Sequence, residues 1–364
     1  MKKLAVIGKG TAGVFAVCHF LRYTDWHIDW YYDEQIIPQS VGEATTLVPP
    51  MVLFNTIGFE YSDLVKIGGT LKTGLHKKYW GENGTEFRHS FPPNKVGYHF
   101  SVTQLQSYVG GKLAALPRVT VINKNVTPDM VDADYVFVCS GKPKDFSEFH
   151  LSEYIPVNTA HVNQCWWPGA KFNDSLHIAR KWGWVFGIPL QERCSIGYVY
   201  NDQFASLDEV KEDMKTIFEE FDLTPSKDTL DIKFGNYYRK NNFDGRVCYN
   251  GNASFFLEPQ ESTSIATMDY VQRAVYEYWH GASWEESQEK YLKQIHEAEN
   301  FLMMHYFAGS VYDNPFWTYA QERGEKCMHR AMKDERFLAF INEAKPYMEP
   351  GMHNGMIDKY TEYN

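Results

Sequence analysis

Gly8-Lys9-Gly10-Thr11-Ala12-Gly13 stands between a short apolar run, Leu4 to Ile7, and a longer one, Val14 to Leu21. Glycines at this spacing between a strand and a helix suit a pyrophosphate. The first permits the tight turn, the second lets backbone approach the phosphates, and the third lets the helix pack on the strand, while the helix start supplies N–H groups and a positive dipole end. Thr11 and Ala12 complete that turn. Asp33 follows Gly13 by 20 residues, where a carboxylate accepts from ribose hydroxyls. The fingerprint occurs once, so a single dinucleotide is expected, and FAD is the natural one.

Two ionisable side chains stand apart from this turn. Leu71-Lys72-Thr73-Gly74-Leu75-His76-Lys77-Lys78-Tyr79-Trp80 alternates as a strand does and places Lys72, Gly74, His76 and Trp80 on one face. Lys72 is then either a solvated strand lysine or a partly buried amine whose pKa shifts readily enough for catalysis. Glu261 precedes Ser262-Thr263, a capping pair for a helix from about Ser264 to Trp279. It is either a charge paired with the helix dipole or a general base. His296-Glu297 has no second histidine at a metal-binding offset, and neither GxSxG nor a Cys/His signature occurs, so no metal centre and no hydrolase is expected.

These residues need elements to hold them. The opening reads as strand, glycine turn, helix and strand His27 to Tyr32; further strands are expected at Val119 to Ile122, Tyr135 to Cys139 and Cys194 to Tyr200. Ser206-Leu207-Asp208-Glu209 is a capping box opening a helix to about Phe221. Ser283-Trp284-Glu285-Glu286 opens another to about Phe307, and Met328 to Ala344 reads as a last helix, with helical periodicity expected to dominate the remainder.

At 364 residues the chain is long enough for two or three folding units of about 150 residues. No repeat or linker separates them. A formal charge of −10 leaves no basic surface to follow a phosphate backbone, so nucleic acid is excluded as an expected partner. The six cysteines are scattered without a CxxC pair, which fits reduced thiols in a cytoplasm. The apolar run at the start is too short for a signal peptide, and no run reaches membrane-spanning length. Aromatic residues reach 16%, enough for an aromatic ligand pocket as well as a packed core.

Six motifs in order give the chain a recognisable relationship. Gly42-Glu43-Ala44-Thr45 matches a strap beside the flavin, and Asp134 to Gly141 a strand returning to it; Trp184-Val185-Phe186-Gly187-Ile188-Pro189 is similar to WxWxIP, with Phe186 for the second Trp. Glu258-Pro259-Gln260-Glu261-Ser262-Thr263-Ser264 is similar to EPLESTG. His305-Tyr306 through Asp313-Asn314-Pro315-Phe316-Trp317 is similar to HY and DTPFW. Over roughly residues 1 to 320 the sequence resembles the flavin-dependent halogenases typified by the tryptophan halogenases.

The resemblance implies an α/β fold: an FAD-binding Rossmann-like core of the aromatic-hydroxylase type, interleaved with a substrate subdomain, and a helical C-terminal region. The division expected is 1–280, with approximately 60–100 and 155–240 as the subdomain, and 281–364. It implies reduced FAD from a separate flavin reductase, a halide ion as co-substrate, and hypohalous acid guided to an electron-rich arene by Lys72 and Glu261, which match the family's active-site lysine and glutamate. Gly42, Glu43, Ala44 and Thr45 join Gly8, Gly10, Thr11, Ala12, Gly13 and Asp33 at the cofactor. The N–H groups of Thr263 and Ser264 are placed at the halide, and Ser264 for the family's glycine puts chloride preference in question. Trp184, Phe186, Phe316 and Trp317 are placed at the substrate pocket. An aromatic hydroxylase or a non-catalytic flavin-binding protein are the alternatives, and an oligomer is open.

Overall fold

The computed structural model describes residues 1–36, 43–45, 51–81, 84, 86–91, 95–166, 171–335 and 337–339. Strand Lys3–Ile7 enters the glycine turn, helix Thr11–Tyr23 leaves it, and strand His27–Tyr32 returns parallel to the first with Ile7 opposite Tyr31. Helix residues Thr11 to Leu21 are all buried, because the helix is covered by the sheet on one side and by other helices elsewhere.

Strand Tyr135–Val138 pairs on the other side of Lys3–Ile7, Val119–Asn123 extends the sheet beyond His27–Tyr32, and Val247–Tyr249 lies beside Tyr135–Val138, all parallel. Phe243–Asp244 closes the edge antiparallel. The expected strands and the Ser206 and Ser283 helices are present. Ser206 and Glu209 bond reciprocally at the start of helix Leu207–Glu220, and Ser283 caps Trp284–Ala308.

The middle of the chain departs from helical periodicity. Thr224–Lys233, Thr159–Trp166, Arg193–Tyr200, Gly183–Pro189, Ser175–Arg180, Gly74–Lys78 and Phe87–Ser90 form a seven-stranded sheet in that order. Ser175–Arg180 is buried at every position, and a strand covered on both faces shows no alternation to read. A three-stranded sheet, Glu43–Ala44, Gly97–Phe100 and Thr70–Lys72, lies beside it in the chain path.

Helix Pro315–Ala331 begins earlier than periodicity suggests and takes in the first turn of the expected Met328 to Ala344; after a turn at residues 332–333 the chain is helical again at residues 335 and 337–339. Asn314 Oδ1 accepts from the N–H groups of Phe316 and Trp317, and Pro315 takes the first helical position, so cap chemistry sets the boundary. Residues 336 and 340–344 of the expected helix lie outside the described residues. All six cysteines are free and buried. Among the described residues no helix is long and apolar enough to cross a membrane, and no group of three or more His, Cys, Asp or Glu side chains is placed to hold a metal ion.

Candidate active site

The carboxyl ends of the parallel strands open into a cleft of about 1020 Å³. Gly8, Gly10, Thr11, Ala12 and Asp33 line it, as do Lys124, Asn125, Ser140 and Gly141 from neighbouring strand ends. Ligands of open parallel sheets bind at this edge. The three glycines do different work. A Cβ at Gly8, where φ is +116°, would stand 2.2 Å from the carbonyl oxygen of Cys139, and one at Gly13 would stand 2.0 Å from the carbonyl oxygen of Gly8. A Cβ at Gly10 would meet nothing within 4 Å. Gly10 therefore faces open space at the helix start, where no side chain caps the first N–H groups, and this fits a phosphate approaching the backbone. Asp33 accepts from the N–H of Gln35 at 2.9 Å and the Asn125 amide at 3.0 Å, which fixes its carboxylate at the far end of the cleft wall.

Pro259, Ser262 and Ser264 line the cleft from the side of the helix Thr263–Trp279, opposite strand residues His177 and Phe186. The chain reaches that helix through a sharp bend. Glu261 has φ 61° and Ser262 φ 57°, left-handed values that cost non-glycine residues about 1–3 kcal/mol each. Ser262 makes no capping bond of its own. Its hydroxyl instead accepts from Lys72 Nζ at 3.0 Å, joining residues 190 positions apart. Lys72 is fully buried and stands one side chain behind the cleft wall.

Glu261 is buried beside it. Lys77 Nζ donates to Glu261 Oε1, and His305 Nε2 lies 2.9 Å from the same oxygen. Lys77 and His305 also meet each other, Nζ to Nε2, at 2.5 Å. Burial works to raise the Glu261 pKa, but the Lys77 ammonium and the His305 ring outweigh it and hold the carboxyl well below the usual range. Burial lowers Lys72 to about 8, with Glu261 pulling the other way and Lys77 reinforcing the drop. The site thus keeps a carboxylate beside an amine that changes protonation near neutrality.

The family model for tryptophan halogenases matches residues 3–110 and 128–338. The chain belongs to the tryptophan halogenase family. Tryptophan 7-halogenase of Lentzea aerocolonigenes is 29% identical over 223 residues, 53% of this chain and 39% of that protein. A 7-chloro-L-tryptophan 6-halogenase of Kutzneria is 24% identical over 149 residues, 40% of this chain and 28% of that protein. Both alignments therefore span well under two thirds of those relatives' lengths. The fold extends further: a tryptophan halogenase from Shewanella frigidimarina superposes with a TM-score of 0.79 at 14% identity, covering 100% of this chain and 88% of that one. A flavin-dependent halogenase from Xanthomonas campestris superposes with a TM-score of 0.78 at 17% identity, covering 91% and 83%. The fold is the α/β, FAD-binding Rossmann type.

The resemblance to halogenases carried a larger set of residues than the structure gathers at one place. Gly42 lies outside the described residues. The backbone of Glu43 and Ala44 pairs with Phe100 and His99, Ala44 lines the cleft, and Thr45 is a buried fastener, exchanging two 2.8 Å bonds with the backbone of Tyr98. Ser264 lines the cleft and Thr263 does not. Phe186 lines it, whereas Trp184 is buried and donates to Glu258 Oε2 at 3.0 Å. Phe316 and Trp317 are placed in the core: Trp317 is 1% exposed, donates to the Arg180 carbonyl and packs edge-on to Trp80 at 5.6 Å.

The single face of Lys72, Gly74, His76 and Trp80 is also corrected. Lys72 ends one strand, Gly74 begins another in a different sheet, and the phase changes between them. Leu75 and Lys77 point inward, while His76 turns out to pair with Glu86. Lys77 and His305 are thus site residues that alternation could not pick out. The signals that would have found them are the adjacent Lys77-Lys78 in a buried strand and the histidine of the HY motif.

Proposed function

We propose that this chain is a flavin-dependent halogenase acting on an electron-rich arene such as an indole, phenol or pyrrole. The observation that carries the reading is the Lys72–Ser262–Glu261 junction directly behind the cleft. Gly8, Gly10, Thr11, Ala12 and Asp33 would hold FAD, which reaches the protein reduced by a separate reductase. Bound there, reduced FAD with oxygen and halide supplies hypohalous acid.

The protein's part is placement, charge and exclusion of water. Backbone N–H groups at the start of helix Thr263–Trp279, those of Thr263 and Ser264, offer the halide a helix N-terminus at the cleft wall. Ser264 adds a Cβ and a hydroxyl there. Lys72 binds the electrophile, as an ammonium donating a hydrogen bond or as an amine taking the halogen, and so aims it at one ring carbon. The carbon–halogen bond forms as the halogen–oxygen bond breaks, and the leaving hydroxide takes a proton from the Lys72 ammonium and departs as water. Glu261 accepts the proton that the ring carbon releases and returns it to Lys72, so that arene and hypohalous acid give haloarene and water. Ser262 separates the two stations, keeping arene away from the flavin.

A mass-spectrometric screen with FAD, a generic flavin reductase, NADH and a panel of indoles and phenols tests this, with chloride, bromide and iodide in parallel. Halide-dependent mass shifts are expected. Addition of oxygen irrespective of halide would make the protein an aromatic hydroxylase, and FAD binding with no turnover would make it a non-catalytic flavin binder.

A further inference from the structure

We propose that Lys77 and His305 are positioning residues that hold Glu261 oriented and ionised for its work as a proton acceptor. This rests on the reading of Glu261 given above. Lys77 Nζ stands between Glu261 Oε1 and His305 Nε2, so the carboxylate is held by a lysine of strand Gly74–Lys78 that is itself held by a histidine of helix Trp284–Ala308. His305 Nδ1 lies 3.1 Å from the Phe301 carbonyl, which only accepts. Nδ1 therefore carries a proton, and Nε2 of the neutral ring accepts from the Lys77 ammonium, so His305 holds the lysine that bonds Glu261 and does not itself donate to the carboxylate. Lys77 bridges carboxylate and imidazole and owes its position to register, since it lies opposite His177 in the sheet.

Stability does not explain this arrangement. A fully buried ion pair is commonly replaceable by apolar side chains at no loss, because removing both charges from water offsets their attraction. Here a buried cation faces a carboxylate held on a strained bend, with a second buried lysine, Lys72, on the adjacent residue. That combination fits a site tuned for charge. Charged and titratable groups from each packed element face Glu261: Lys72, Lys77, His89, His177 and His305. Burial lowers His89 to about 4 and His177 well below the usual range, so both are neutral near pH 7 and the lysines are the cations. Lys77 neutralises Glu261 and leaves Lys72 with its lowered affinity for a proton.

The test compares Lys77→Met, Lys77→Arg and His305→Gln. Difference infrared titration of the unliganded proteins, with Glu261→Gln as the subtracted reference, reads the carbonyl band of protonated Glu261. In Lys77→Met that band is expected at least one pH unit higher than in the wild type, in Lys77→Arg at its wild-type position, and in His305→Gln moved upward by less. With product formation established, the acid limb of kcat/KM for the arene moves up by the same amount in Lys77→Met, while FAD affinity stays within twofold. An unmoved band in folded Lys77→Met, or activity lost by one factor at every pH, would overturn the proposal. If Lys77→Met does not fold, an unmoved band in folded His305→Gln overturns it equally. A shifted band in a protein that makes no halogenated product would remove the halogenase reading and leave the positioning of Glu261 standing.

Discussion

The bond from Lys72 to Ser262 is the residue-scale feature on which most depends. A hydrogen bond to a charged group contributes about 1.5–3 kcal/mol, so Ser262→Ala is expected to lower the rate of arene halogenation at least tenfold by freeing the amine, with FAD affinity retained. Equal rates in wild type and variant, measured by product mass, would remove Ser262 from the account. Glu258 offers a second check. It is fully buried, accepts from Trp184 and Tyr306, and burial lifts its pKa from 4.5 to about 7 against the pull of both bonds. Because the folded pKa lies above the unfolded one, folding carries no penalty below pH 4.5, an increasing one between 4.5 and 7, and the full one above 7. Glu258→Gln keeps an acceptor for both donors without the charge. Its unfolding free energy relative to wild type should therefore rise between pH 5 and pH 8, by at most roughly 3 kcal/mol for a shift of this size, and its melting temperature with it; a flat difference would contradict the assigned ionisation. That Lys72 and Glu261 lie together was legible because the motifs that carry them are brought side by side in the fold. Lys77 was not, since the break at Thr73 inverts the inward phase of the strand that follows.

At the scale of elements, the glycine turn separates packing from ligand approach. Gly13→Ala drives a Cβ against the Gly8 carbonyl and is expected to lower the melting temperature of the unliganded protein. Gly10→Ala meets no protein atom, so it should fold normally and lose at least tenfold in FAD affinity by flavin fluorescence titration. Comparable FAD affinity in Gly10→Ala and wild type would mean that the phosphates do not approach this turn. The opening strand, turn and helix could be read from sequence because local apolar patterns and the glycines agree there. The seven-stranded sheet could not, because strands such as Ser175–Arg180 are buried on both faces and give no period-two signal. Phe316 and Trp317 show the complementary difficulty. Their type and spacing suit a ligand pocket, but beyond the Asn314 cap Trp317 is buried against Trp80 and Tyr306, and Phe316 against Phe204.

Over the whole molecule, the cleft and the lysine–glutamate junction lie on opposite sides of one bend, Pro259 to Ser262, the spatial division that the proposed function requires between oxidant production and oxidant use. Ligand binding to the folded state alone stabilises it by about 2.7 kcal/mol at a hundredfold excess over Kd. FAD is accordingly expected to raise the melting temperature of the wild type and of Lys72→Ala alike, because Lys72 stands behind the cleft wall and does not line it. Whether Lys72 guides the oxidant is decided by a paired product assay of wild type and Lys72→Ala, supplied with reduced FAD, oxygen, halide and arene. A freely diffusing, readily halogenated small molecule is present as a trap. Halogenated arene is expected from the wild type, and from Lys72→Ala no arene product but undiminished halogenation of the trap. Arene halogenation at the wild-type rate and position by Lys72→Ala would show that the oxidant is not guided by this lysine.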